Sequence, residues 1–139
     1  MKQMFMKLAF DIANKSKAKR LKVGAVLVDG ANKIIGTGKN HIPDVYGDDC
    51  EYTNDKGELV TRDELIHAEE DAICYAAKCG CRTKGATIYV TDSPCLSCAK
   101  LIYSAGIEKV VYCRPYRLTL GLDFLRSVDI EVEQLIVEL

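Results

Sequence analysis

Two hydrophobic periods alternate along the chain, and this alternation narrows the choice of folds more than any other feature. Phe5, Leu8, Ala9 and Ile12 recur at helical spacing. Residues 23–28 and then Ile34 and Ile35 read as two strands, joined at the hairpin signal Asp29-Gly30-Ala31-Asn32. Residues 36–64 break the pattern with a polar, acid-rich stretch that contains Pro43, which predicts a long functional loop or lid. Helical spacing resumes over 66–78, where Ala68, Ala72, Ala76 and Ala77 predict close packing on a neighbour and Gly80 a stop. A β-branched strand is expected over 86–91, a short helix over 95–105 closed by Gly106, and a strand over 110–113. A weaker helix over 118–127 and a strand over 130–137 complete the chain. This order implies an α/β sandwich, a mixed sheet layered with helices. With no repeat and no boundary in composition, residues 1–139 are expected to form one domain.

Charge narrows the partners. Nineteen basic and 20 acidic residues leave a net charge of −1, so no global positive field draws the chain to a polynucleotide or an anionic membrane. The expected partner is a small molecule or another protein. Residues 1–19 read as an amphipathic helix without the uninterrupted apolar run of a signal peptide. No later stretch reaches the roughly 18 to 20 apolar residues that a membrane span needs. Both features predict a soluble, cytoplasmic protein. An odd count of seven cysteines then argues for thiols or metal ligands over a disulfide framework. Cys74 and Cys113 lie in apolar elements and are expected to be small buried hydrophobes.

Chemistry concentrates in two short stretches. His67-Ala68-Glu69 opens one predicted helix, and Pro94-Cys95-Leu96-Ser97-Cys98 opens another, with 28 residues between His67 and Cys95. Cysteines at i and i+3 on a first helical turn point their sulfurs to one side, where the helix N-terminus favours thiolates. One imidazole and two thiolates leave a tetrahedral zinc one ligand short, and water in that open position has its pKa lowered towards 7. Glu69 sits two residues from His67, within reach of such a water as a proton shuttle that is not itself a ligand. Either stretch alone is ambiguous, since Cys-x-x-Cys also marks zinc knuckles and redox pairs and His-x-Glu is usually surface. Together they are the signature of zinc nucleobase deaminases. Glu70 is expected to be a surface charge.

With these residues in place, the chain resembles the cytidine and deoxycytidylate deaminase superfamily from about Phe5 to Val137, and within it the deoxycytidylate (dCMP) deaminase branch. The finer likeness lies in "VGAVLVDGANKIIGTGKN" at 23–40, "HAEEDAI" at 67–73 and "GATIYVTDSPCLSCAKLIYSAGIEKVVYC" at 85–113. The resemblance implies a three-layer cytidine deaminase-like sandwich with a five-stranded mixed sheet, and a single catalytic zinc held by His67, Cys95 and Cys98. It implies hydrolytic deamination of dCMP to dUMP and ammonia, feeding thymidylate synthesis, with Glu69 protonating N3 and then the leaving amine. The backbone around Ala68 and Ser93 would read the base edge. Asn40 matches an asparagine that bonds the sugar, against its other reading as a turn residue. Arg20 matches an arginine that contacts phosphate, although it falls in a run of five cations (Lys15, Lys17, Lys19, Arg20 and Lys22) of the kind that usually forms a solvated face. Tyr116 and Arg117 match a late Tyr-Arg that closes the pocket, with core packing as the competing role for Tyr116.

The chain also departs from that branch. Lys39, Asn40 and His41 stand where many members have aromatic-Asn-Gly, in a segment of the site where dCTP activates and dTTP inhibits hexameric enzymes, with Mg2+ accompanying the triphosphate. Asp71 replaces a frequent asparagine. These four residues are the candidate allosteric set, and the replacements put the regulation in question. Ala18 falls near a cysteine that some members use for a second, structural zinc, which leaves Cys50 without a partner. A homohexamer is implied by the family alone. Competing readings are deamination of dCTP or another cytosine nucleoside or nucleotide, and a zinc-stabilised binding protein without turnover, which would leave Glu69 without a purpose.

Overall fold

A computed structural model describes all 139 residues. Five strands form one mixed sheet in the order β2-β1-β5-β6-β7: β1 (Gly24–Val28), β2 (Ile34–Lys39), β5 (Thr87–Asp92), β6 (Lys109–Arg114) and β7 (Glu131–Gln134). A separate two-stranded sheet pairs β3 (Glu51–Thr53) with β4 (Leu59–Thr61). β1 runs antiparallel to both β2 and β5, while β5, β6 and β7 run parallel. Helix α1 (Lys2–Ala13) covers one face, and α2 (Ala68–Lys78), α3 (Leu96–Ser104) and α4 (Leu120–Ser127) share the other. This is the expected three-layer sandwich. No helix is long and apolar enough to cross a membrane.

Covering both faces explains why the central strands read as continuous apolar runs. In β1, Ala25 and Leu27 turn to the α2–α3–α4 layer and Val26 and Val28 to α1. Ile88, Val90, Val110 and Tyr112 repeat the first orientation, and Tyr89, Val111 and Cys113 the second. Helix α1 meets the sheet with Phe5, Met6, Ala9 and Phe10. The hairpin between β1 and β2 forms where its signal predicted, with the Asp29 carboxylate accepting the Ala31 and Lys33 N–H groups and Asn32 taking φ of 61°. Gly80 and Gly106, with φ of 72° and 76°, end α2 and α3 as expected.

Three expectations need correction. Strand β2 continues through Gly36 and Gly38 to Lys39, where a loop was expected to begin. The glycines hid it, yet α2 requires them: a Cβ at Gly36 would lie 2.3 Å from the Ala72 carbonyl oxygen, and one at Gly38 2.3 Å from that of Ala68. Those alanines and Ala76 are fully buried, so α2 lies backbone to backbone on β2. The polar stretch 36–64 holds the β3–β4 hairpin and a 3-10 turn at Asp44–Tyr46, so it is not one irregular loop. Cys74 is exposed, because the buried stripe of α2 runs through Ala68, Glu69, Ala72, Ile73 and Ala76 and leaves residue 74 on the far side. Cys113 is buried as expected.

The topology gathers one end of the sheet into a site. β2 and β5 point the same way with antiparallel β1 between them, so Asn40 and Ser93 at their carboxyl ends lie beside Val23, which precedes β1. The N-termini of α2 and α3, which follow these strands, fall at the same end, the usual place for a ligand in an α/β sheet.

Candidate active site

A cavity of about 510 Å³ opens at that end of the sheet. His67, Ala68, Glu69, Ser93 and Cys95 line it, and so do Arg20, Asn40, Tyr116 and Arg117. Cys98 is buried behind Cys95, with its sulfur against His67. Nine of the residues expected around a substrate or metal therefore share one cavity, with Cys98 directly behind. Lys39, His41 and Asp71 are not among the lining residues.

Local chemistry places the donors. His67 is the N-cap of α2 in extended geometry, and its N–H is accepted by the Glu70 carboxylate at 2.8 Å. Glu70 is thus the cap of the helix that carries the site, a role its reading as a surface charge does not include. The backbones of His41 and Ile66 exchange hydrogen bonds of 3.0 and 2.8 Å, tying the approach to His67 to the end of β2. Cys95 is the N-cap of α3, and Cys98 stands one turn on. Gly121 of α4 packs against this cap so closely that a Cβ there would lie 2.0 Å from the Pro94 carbonyl oxygen.

His67, Cys95 and Cys98 bring their donor atoms within 4.8 Å of one another. The His67 Nδ1 lies 3.6 Å from Cys95 Sγ and 3.3 Å from Cys98 Sγ. Zinc bonds of about 2.0–2.1 Å to nitrogen and 2.3 Å to sulfur at a tetrahedral angle put N and S about 3.6 Å apart, so the donor set fits zinc with one position left open. The two thiols and the imidazole perturb one another. The bond from Cys98 and then that from His67 hold the Cys95 thiol down at about 4. Cys98 is pushed far up by the same bond and by burial. The bond to Cys95 also raises the His67 imidazole above its ordinary value, against the effect of burial. A divalent cation would be bound by both sulfurs as thiolates.

Glu69 is 4% exposed, and burial pushes its carboxyl up to about 7. Such a group both takes and gives a proton near neutral pH. Asp92, 7% exposed, lines the cavity beside it, with its Oδ2 held by Arg114 Nη2 at 2.9 Å and Thr91 Oγ1 at 3.0 Å.

Around the cavity, Asn40 is an internal clasp as well as a lining residue. Its Oδ1 accepts the Val23 N–H at 2.9 Å, and its Nδ2 donates to the Leu21 carbonyl at 2.7 Å, which leaves one amide hydrogen for a ligand. Ser93 donates its N–H to the Arg114 carbonyl and accepts the Tyr116 N–H on Oγ at 2.6 Å, so its own carbonyl is the backbone group left for a base. Tyr116 is 40% exposed at the cavity, which sets aside core packing. Asp71 accepts the Lys39 N–H at 3.2 Å and meets His41 Nε2 at 3.1 Å, so the three departures from the branch pattern gather on one carboxylate. Cys50 is buried with Ala18 and Ile42, its thiol pushed up by burial. Sequence reasoning missed Glu51, Thr61 and Asp92. The Asn54–Gly57 turn signal inside the polar stretch was the one cue to the hairpin that brings the first two.

The profile of the cytidine and deoxycytidylate deaminase zinc-binding region matches residues 1–114. Deoxycytidylate deaminase of Enterobacteria phage T4 is 32% identical over 166 residues, covering 91% of this chain and 86% of that protein. Deoxycytidylate deaminase of Homo sapiens is 39% identical over 113 residues, covering 79% of this chain and 62% of the human protein. The crystal structure of dCMP deaminase from the cyanophage S-TIM5 in complex with dCMP and dUMP superposes with a TM-score of 0.88 at 36% identity, covering 96% of each chain.

Proposed function

The chain belongs to the cytidine and deoxycytidylate deaminase family, and from that premise we propose that it hydrolyses dCMP to dUMP and ammonia. The observation that carries the proposal is a buried carboxylate, Glu69, beside a three-donor metal set in one cavity whose lining also includes two arginines, Arg20 and Arg117. His67, Cys95 and Cys98 would hold the zinc, which when bound would supply a Lewis acid for activating water at neutral pH. Glu69 takes protons from the attacking water and passes one to N3 of the base as the C4–O bond forms, then the other to the amine as the C4–N bond breaks and ammonia leaves. The Ala68 N–H, in the first turn of α2, and the Ser93 carbonyl hold the base edge. The remaining Asn40 amide hydrogen serves the sugar. Arg20 and Arg117 bind the phosphate, and Tyr116 closes over it.

Finer parts of the proposal follow the family. The product dUMP feeds thymidylate synthesis in the cytoplasm, and the enzyme assembles as a hexamer. Control by dCTP and dTTP with Mg2+ would act through Lys39, Asn40, His41 and Asp71, and the Asp71 contacts to Lys39 and His41 are what an effector would have to displace.

An ultraviolet deamination assay over cytosine, cytidine, dCMP and dCTP, with dCTP and dTTP added as effectors, tests the reading. Preference for dCMP is expected. Preference for dCTP or an unphosphorylated substrate would move the assignment within the family. Glu69→Ala is expected to keep zinc and lose turnover, and near wild-type activity in that variant would refute the proton-transfer role.

A further inference from the structure

The β3–β4 hairpin contributes Glu51 and Thr61 to the cavity wall. Glu51 is 8% exposed. Its Oε2 accepts the Lys19 and Arg20 N–H groups at 2.8 and 3.0 Å, while the Arg20 side chain donates from Nη1 to Thr61 Oγ1 at 3.2 Å. Its other oxygen, Oε1, accepts no bond from the chain. Nor is that oxygen sealed away, since Arg62 Nε is the only deeply buried side-chain polar atom left without a partner. A nearly buried carboxylate with one oxygen saturated and the other free is an acceptor awaiting a donor.

On dCMP, the exocyclic amine and the N3 side belong with Glu69, and the phosphate carries almost no donor near neutral pH. The 3′-hydroxyl is the one donor left, because it is the only hydroxyl on a 2′-deoxynucleoside 5′-monophosphate. We infer that Glu51 is a specificity-determining residue: its Oε1 accepts the 3′-hydroxyl of the sugar while its Oε2 holds the Arg20 backbone at the phosphate. The inference rests on the dCMP reading above. It also gives a physical reason for excluding cytosines within a polynucleotide, whose 3′-phosphodiester would set an anion against the carboxylate and remove the donor.

The test compares kcat/KM for dCMP and 2′,3′-dideoxy-CMP on zinc-loaded wild type and Glu51→Ala. Wild type is expected to favour dCMP by about tenfold or more, because the analogue leaves the carboxylate unpaired. Glu51→Ala is expected to shrink that preference to within about twofold, on top of a loss through Arg20 shared by both substrates. Equal use of the two nucleotides by wild type, or a preference unchanged in the variant, would overturn the assignment. The wild-type comparison needs no variant. If Glu51→Ala fails to fold, Glu51→Gln, which keeps an oxygen for the two backbone amides, carries the second arm: its amide meets the 3′-hydroxyl as an uncharged donor in place of the carboxylate, so the preference for dCMP is expected to fall without vanishing, and an unchanged preference would overturn the assignment. If wild type turns over neither of these nucleotides but deaminates another cytosine compound, the dCMP reading fails and this inference with it.

Discussion

Neighbouring carboxylates on one helical turn behave as three different devices. Glu69 is buried and shifted up to about 7, Glu70 caps the helix through the His67 N–H, and Asp71 accepts from Lys39 and pairs with His41. For Glu69 the folded-state value lies above the ordinary 4.5, so in metal-free protein its contribution to stability is full below that value and lost as pH rises through about 7. Glu69→Gln removes the charge. Relative to wild type, the metal-free variant is expected to gain on the order of 1–3 kcal/mol between about pH 5 and pH 8. Thermal melts of chelator-treated protein at both pH values read this directly, and a difference in Tm that does not change with pH would contradict it. Glu70→Ala should cost about 1 kcal/mol through the lost cap and loosen His67, whereas Glu70→Gln, still able to accept the N–H, should sit near wild type. Zinc competition with a chelating dye would show whether the ligand is loosened along with the helix.

At the scale of elements, the site depends on how closely helices approach strands. Gly38 allows the first turn of α2 to rest on β2, and a Cβ there would meet the Ala72 nitrogen at 2.5 Å as well as the Ala68 carbonyl. Gly38→Ala must therefore displace the first turn of α2, at which His67 and Glu69 sit, relative to β2. The expected result is a loss of at least about 1–3 kcal/mol in stability, with zinc and activity lost alongside it. Gly30→Ala, where a Cβ meets nothing within 4 Å, is the matched control and should leave all three unchanged. Circular dichroism melts and bound-zinc determination on both proteins check the pair. The alanines of α2 announce half of this contact in the sequence. The glycines of β2 conceal the other half, because Gly-Thr-Gly lacks the β-branched run by which a strand is read. The hairpin escapes for a different reason: its strands are three residues long, too short to show a period, and the buried side chain at its start is a glutamate.

For the molecule as a whole, the packing that holds the fold is separate from the metal. Both faces of the sheet are closed by apolar side chains, from Phe5, Met6 and Phe10 on one side to Ile88, Ile102 and Leu125 on the other, and none of them is a metal ligand. Stripping zinc with a chelator is therefore expected to abolish activity and lower the Tm while leaving a folded protein, and added zinc should restore both. Loss of far-UV ellipticity on chelation at room temperature would show instead that the metal holds the fold. The grouping of His67, Cys95 and Cys98 beside Glu69 is legible in the sequence, since metal chemistry restricts the spacing of such donors. Glu51, Thr61 and Asp92 are not, because each enters the cavity through tertiary placement that leaves no local pattern. The β3–β4 hairpin, which carries two of these, forms a sheet of its own apart from the five strands beneath it. Side chains of the hairpin that face the cavity can thus change without altering the apolar packing of the five-stranded sheet. A lineage can acquire a new nucleotide preference through the hairpin while inheriting its chemistry unchanged.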